Sequence, residues 1–120
     1  MAVRAIRGAT TSENTREDIF SATKEMMEKI ISENEIETED MIDIMFTMTN
    51  DLDKAFPAAA VRELGICDVP LLDFAELFVE GSLKQCIRVL VHINTDKRNS
   101  DIRHIYLRGA KVLRPDLAEK

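Results

Sequence analysis

With 120 residues, 45% of them hydrophobic and 32% charged, the chain is long enough for one hydrophobic core and too short for two, so a single domain over residues 1–120 is expected. Its formal charge of −6 argues against a nucleic-acid binder, since affinity for phosphate backbones comes from clustered lysine and arginine. No apolar run approaches a membrane span, and the opening MAVRAIRGATT carries arginines where a secretory signal needs an unbroken apolar core, which predicts a cytoplasmic protein with no membrane contact.

Residues 2–7 read as a strand, followed by a small-residue turn at Gly8-Ala9-Thr10-Thr11 where backbone could approach a ligand. A long helix comes next. Asn14 or Thr15 can cap it, Asp18 stands three after Thr15, and Ile19, Thr23, Met26 and Ile30 with Phe20, Met27 and Ile31 form a stripe at helical spacing. Met26 and Met27 read as core, and Glu25, Glu28, Lys29 and Glu33 as a solvated face. The chain's acid is concentrated here: positions 13–40 hold ten acidic against three basic residues, so the remainder is close to neutral and free to build a positive pocket.

In MIDIMFTMT, Ile42, Ile44, Phe46 and Met48 alternate with Asp43, Met45 and Thr47 as in a strand. FPAAAVRELG then predicts a two-turn helix with Pro57 at its first position and Gly65 at its exit, leaving Phe56 just outside and Arg62 presented. The segment VPLLDFAELFVEGSLK is ambiguous between strand and helix, with Pro70 favouring an extended start. QCIRVLVHIN is a strand whose faces are Ile87, Val89, Val91, Ile93 and Cys86, Arg88, Leu90, His92, both of which look covered. Residues 102–108 and 111–114 suggest a last strand interrupted near Gly109 and ended by Arg114-Pro115.

This order predicts an α+β fold, a mixed five-stranded sheet with one long and one short helix on one face. Two helices leave the other face bare, so a second copy of the chain is the expected cover, in a ring or other closed oligomer. Cys67 and Cys86 form no CxxC motif, and His92 and His104 show no metal-ligand spacing with them, so reduced cysteines and no metal are expected. Arg7, Arg62, Arg88 and Arg114 stand among apolar neighbours, where a buried unpaired charge costs several kcal/mol, and together they point to an anionic ligand.

The strings RAIRGATT, FPAAAVRELG, VPLLDFAE, CIRVLVHINTD and IRHIYLRGAKVLRPDL, in this order and over essentially the whole chain, resemble the trimeric, mixed α/β class of chorismate mutases. The resemblance implies a trimeric pseudo-barrel with active sites between subunits, and the cofactor-free, metal-free Claisen rearrangement of chorismate to prephenate in phenylalanine and tyrosine biosynthesis. It implies that Arg88 of CIRV faces the ether oxygen on which negative charge grows, and that Arg7 and Tyr106 hold the carboxylate of the enolpyruvyl side chain. Glu76 would accept from the ring hydroxyl, Phe56, Ala58 and Leu72 would form walls, and Arg62 and Arg114 would add outer positive charge, Arg114 ordering over bound ligand. Many relatives have a cysteine where Asp73 stands and some a lysine where Ala59 stands, so Asp73 joins the substrate-binding set as a departure that adds negative charge near a dianion.

Two other readings fit the residues: a noncatalytic trimeric module binding a small carboxylate in the same clefts, and an imine or enamine deaminase with an intersubunit arginine. Arg4, Arg103 and Arg108 read as plain surface residues.

Overall fold

The computed structural model describes residues 1–118, so the last two positions of the expected domain lie outside the described residues. Five strands form one mixed sheet: β1 (Ala2–Thr11), β2 (Met41–Met48), β3 (Leu71–Ala75), β4 (Cys86–Thr95) and β5 (Ile105–Tyr106), in the spatial order β3-β2-β4-β1-β5. The central pairs β1–β4 and β2–β4 are antiparallel, and the outer pairs β2–β3 and β1–β5 are parallel. Helices α1 (Arg16–Asn34) and α2 (Pro57–Glu63) join the strands, and a short α3 (Pro115–Ala118) follows a 3-10 segment at Arg108–Leu113. The expected α+β class and the strand and helix order are borne out.

The core lies between the sheet and α1 and α2. Ile6 of β1, Ile44 and Phe46 of β2, and Ile87, Val89, Val91 and Ile93 of β4 meet Ile19, Met26, Met27 and Ile30 of α1 and Val61 of α2, all buried. Met26 and Met27 are thus core. Thr15 caps α1 by accepting the Asp18 N–H at 3.0 Å, while the Asp18 carboxylate reaches back to the Glu13 N–H at 2.7 Å. At the other end buried Asn34 donates to the carbonyls of Ile30 and Arg103 and accepts the Arg103 N–H at 2.8 Å, tying the helix to the segment entering β5.

Several local expectations need correcting. Gly8 to Thr11 is not a turn but the second half of β1, since each residue is paired with β4 down to Thr11 opposite Cys86. The close approach that Gly8 permits is to the helix rather than to a ligand: a Cβ there would lie 2.9 Å from Val89 Cγ1, 3.0 Å from Ile30 Cδ1 and 3.2 Å from Met26 Sδ. Ile42 does not share the core face of β2, because an irregularity between Met41 and Asp43 buries Met41 and exposes Ile42. Leu71–Ala75 settles as an edge strand. The last strand is only two residues long; 111–114 is not a strand but the end of the 3-10 segment and its exit. Arg108, expected as a plain surface residue, is half-buried at φ 51° and holds the C-terminal segment to the start of α1 through Asp18, Glu25 and the Thr11 carbonyl.

Candidate active site

Strand register lines up the second face of the sheet row by row. Tyr106 of β5 is opposite Ala9 of β1, Ala9 is opposite Arg88 of β4, Arg88 is opposite Thr47 of β2, and Thr47 is opposite Phe74 of β3. The next row runs Arg7, Leu90, Met45, Leu72. Directly opposed residues share a face, so five strands distant in sequence deliver two arginines and a tyrosine to one surface.

That surface holds an open groove of about 540 Å³ lined by Arg7, Met45, Thr47, Phe74, Glu76, Leu77, Arg88 and Leu90 among others. At its centre Arg88 donates from Nε to Glu76 Oε2 at 2.8 Å. Glu76, only 14% exposed, also accepts from the Thr47 hydroxyl through Oε1, so both carboxylate oxygens are engaged and the arginine is aimed by a carboxylate that is itself fixed. The Arg88 side chain remains 44% exposed toward the groove. Burial pushes the neighbouring Cys86 thiol up to about 11, against the pull of the Arg88 charge, so it stays protonated and is no nucleophile at neutral pH.

This geometry corrects the reason for noticing the arginines. Arg7, Arg62 and Arg88 are exposed rather than buried, and Arg114 is half-buried. Arg7 and Arg88 follow apolar residues because strand neighbours alternate between the core and a face that the single chain leaves open, so β4 is not covered on both sides, while Arg62 lies on α2 and Arg114 follows the 3-10 segment.

The other expected residues divide. Tyr106 is in the arginine row, 5% exposed in a small apolar cluster with Ala9, Cys86 and Ala110. Leu72 lies exposed on the same face. Arg114 is past the 3-10 segment and pairs with Asp116, Nε to Oδ1 at 3.2 Å and Nη2 to Oδ2 at 3.1 Å. Phe56, Ala58 and Arg62 are not brought to the groove, because α2 packs on the opposite, helical side: Phe56 is 69% exposed, Ala58 is buried, and Arg62 is exposed. Asp73 points to that side too, where its Oδ1 accepts the Ala58 N–H at 3.2 Å. Burial raises the Asp73 carboxyl above its usual range, opposed by that N–H and by the Arg62 charge.

Sequence reasoning missed Thr47, which orients Glu76, and the groove walls Met45, Phe74 and Leu90. The signal for Thr47, Met45 and Leu90 was present in the alternation of β2 and β4, where they are opposite in phase to the core set, while Phe74 lies on β3, in the segment left ambiguous between strand and helix.

The arrangement fits electrostatic work on an anion. It offers permanent cations, an oriented carboxylate and apolar walls. A family model described as chorismate mutase type I matches residues 3–117. The chain is 48% identical over 120 residues to the chorismate mutase AroH of Bacillus subtilis (strain 168), covering 98% of this chain and 94% of that protein. It is 49% identical over 117 residues to the chorismate mutase AroH of Thermus thermophilus, covering 96% of each. Among solved structures, a chorismate mutase from Clostridium thermocellum superposes with a TM-score of 0.89 at 48% identity, covering 91% of this chain and 98% of that one.

Proposed function

The chain belongs to the chorismate mutase type I family, and from that premise we propose that it isomerises chorismate to prephenate in phenylalanine and tyrosine biosynthesis, using no cofactor or metal. The ether C–O bond of the substrate breaks as a new C–C bond forms, and no atom leaves or enters. Negative charge grows on the ether oxygen while the ring becomes electron-poor. The protein's work is to hold a compact conformer and to set a fixed cation against that oxygen.

The observation that carries this reading is the Arg88–Glu76 pair, with Arg7 lining the same groove and Thr47 fixing the carboxylate. Arg88 supplies the charge at the ether oxygen, and its planar fork leaves donors beyond the Nε that Glu76 holds. Glu76 accepts from the ring hydroxyl and sets negative charge near the electron-poor ring. Arg7 and Tyr106 hold the side-chain carboxylate, and Arg114 closes from the C-terminal segment.

The reading includes a homotrimer with the sites between subunits. Its support is that Phe56, Ala58 and Arg62 stand on the far side of their own chain, so a neighbouring copy must bring them to Arg88. The exposed Leu72, Phe74 and Leu77 give the groove side apolar surface for such a copy to cover. It also includes a cytoplasmic setting, which suits the exposed free thiol of Cys67.

The test is to mix purified protein, kept with a chelator, with chorismate, follow loss of the diene absorbance and identify the product. Rapid, saturable formation of prephenate is expected. Folded protein that binds chorismate without converting it would replace this reading with a carboxylate-binding module.

A further inference from the structure

Tyr106 stands on the shortest strand of the sheet. β5 is two residues long, lies at an edge and pairs only with β1, through Ile105 opposite Gly8 and Tyr106 opposite Ala9, with the Leu107 N–H reaching the Ala9 carbonyl at 2.9 Å. Its flanks are both fastened to α1. On the entry side Asn34 brackets Arg103, donating to its carbonyl and accepting its N–H. On the exit side Arg108 donates from Nη1 to the two Asp18 oxygens at 3.2 and 3.3 Å and to the Thr11 carbonyl at 3.2 Å, and from Nε to Glu25 Oε1 at 3.3 Å. Arg108 holds a left-handed backbone, φ 51°, which is disfavoured for a residue with a side chain. The turn is also tight, since the Gly109 N–H bonds Thr11 Oγ1 at 3.0 Å and a Cβ on Gly109 would lie 3.1 Å from the Thr11 side chain. It sends the 3-10 segment back over the strand, where Ala110 and Leu113 pack with Tyr106, Ala9 and Cys86, and Arg114 follows directly.

We propose that Arg108 is a positioning residue for ligand binding: by clamping the exit of β5 to α1 it sets where Tyr106 and Arg114 meet the anion, without touching the anion itself. It stands between the two in the chain, two residues after the tyrosine and at the root of the segment that carries the arginine. Its guanidinium lies against α1, outside the groove that Arg7 and Arg88 line, and its charge is engaged by Asp18 and Glu25. The task suits an arginine, whose planar fork serves two carboxylates and a carbonyl at once where a lysine's ammonium is a single point. Tyr106 and Arg114 act on a carboxylate that carries its charge before and during the rearrangement, so misplacing them weakens binding of the substrate and of the transition state alike. The effect of losing the clamp therefore falls on KM.

The role toward the ligand rests on the proposed mutase reading, the clamp on β5 does not, and two readouts separate them. Arg108→Gly removes every side-chain bond of the clamp while easing the left-handed backbone. In steady-state assays with chorismate it is expected to raise KM about three- to ten-fold and to leave kcat within about two-fold of wild type. In a Tyr106→Phe, Arg114→Ala background the same change is expected to leave KM where that background sets it, because the groups through which Arg108 acts are gone. Amide exchange at Leu107, followed by NMR, is expected to accelerate at least ~10-fold in Arg108→Gly, the scale of losing one anchoring bond. An unchanged KM, a loss that falls on kcat alone, or a full-sized rise of KM in the double-variant background would overturn the positioning role. Unchanged Leu107 exchange would overturn the clamp. Should Arg108→Gly fail to fold, Glu25→Gln decides instead, since it cuts one carboxylate of the clamp and leaves the α1 cap whole: a KM raised about two-fold or more with kcat kept supports the role, and an unchanged KM overturns it. Should the wild-type protein leave chorismate unchanged, the mutase reading and the role toward the ligand fall together, while Leu107 exchange still decides the clamp.

Discussion

Arg88 and Glu76, twelve positions apart in sequence, meet at 2.8 Å because β3 runs on past its pairing with β2 and delivers the glutamate beside Thr47, directly opposite the arginine on β4. The glutamate lies outside the strand proper, and its backbone N–H is fixed to the Met48 carbonyl at 3.1 Å. Main-chain and side-chain bonds therefore hold the same residue, and the arginine inherits that order. A site organised in this way spends little reorganisation when charge develops on a ligand.

Thr47→Val and Glu76→Ala test that chain of support. Replacing the Thr47 hydroxyl by a methyl removes one hydrogen bond, about 0.5–1.5 kcal/mol, and is expected to lower kcat for chorismate roughly three- to ten-fold. Glu76→Ala is expected to cost more, at least ~10-fold, since it frees Arg88 and removes the charged acceptor. Gel filtration and circular dichroism check that both variants keep the wild-type assembly and fold. A Glu76→Ala protein that dissociates or unfolds would make Glu76 a structural residue.

Gly8→Ala addresses the seam between α1 and the sheet. The added Cβ would sit 2.9 Å from Val89 Cγ1 and 3.0 Å from Ile30 Cδ1, so α1 must shift or two core side chains must leave their rotamers. Overpacking of this kind costs about 1–3 kcal/mol. Urea titration should show a lowered midpoint with an unchanged slope. Wild-type stability would mean that α1 does not approach β1 as closely as the structure has it.

Asp18 gives the stability a definite dependence on pH. The Glu13 N–H, and with it Arg108 and Ser12, hold its carboxyl below the usual range despite partial burial. A depressed folded-state value means that its stabilisation is complete above the unfolded value, about pH 4, and is lost as pH falls through the folded value. Asp18→Asn should therefore be less stable than wild type at pH 7 and show a flatter loss of stability below about pH 4. Asp53 and Glu63 are also depressed, by Asn14 and Lys24 respectively, but at exposed positions. Salt should weaken their share and leave the backbone contact of Asp18 largely intact. Parallel pH profiles for the variant and wild type would contradict the assignment.

How much of this was legible in the sequence depends on where each signal came from. The buried halves of β1, β4 and α1 announce themselves by periodicity, because each buries one face against a single core. Leu71–Ala75 did not, since an edge strand paired on one side has little alternation to show. Gly8 to Thr11 looked like a turn because small residues are shared by turns and by strands over which a helix packs closely. Asn34 and Arg108 make their contacts across long sequence separations, which no local window reveals. Within the site, Arg7, Arg88, Glu76 and Tyr106 were identified by their motifs and stand on one face. The motifs could not show that Asp73 turns toward α2 or that Phe56 and Arg62 lie across the molecule from that face.

The central claim is that the fixed charge of Arg88 stabilises the transition state, and kcat for chorismate in Arg88→Ala and Arg88→Lys tests it most directly. Removing a preorganised donor to a developing oxyanion should lower kcat by at least ~10²-fold in Arg88→Ala. Arg88→Lys should fall nearly as far, because a single mobile ammonium cannot keep the Glu76 bond and reach the ether oxygen together. Wild-type kcat in both variants, with fold and assembly intact, would contradict the account.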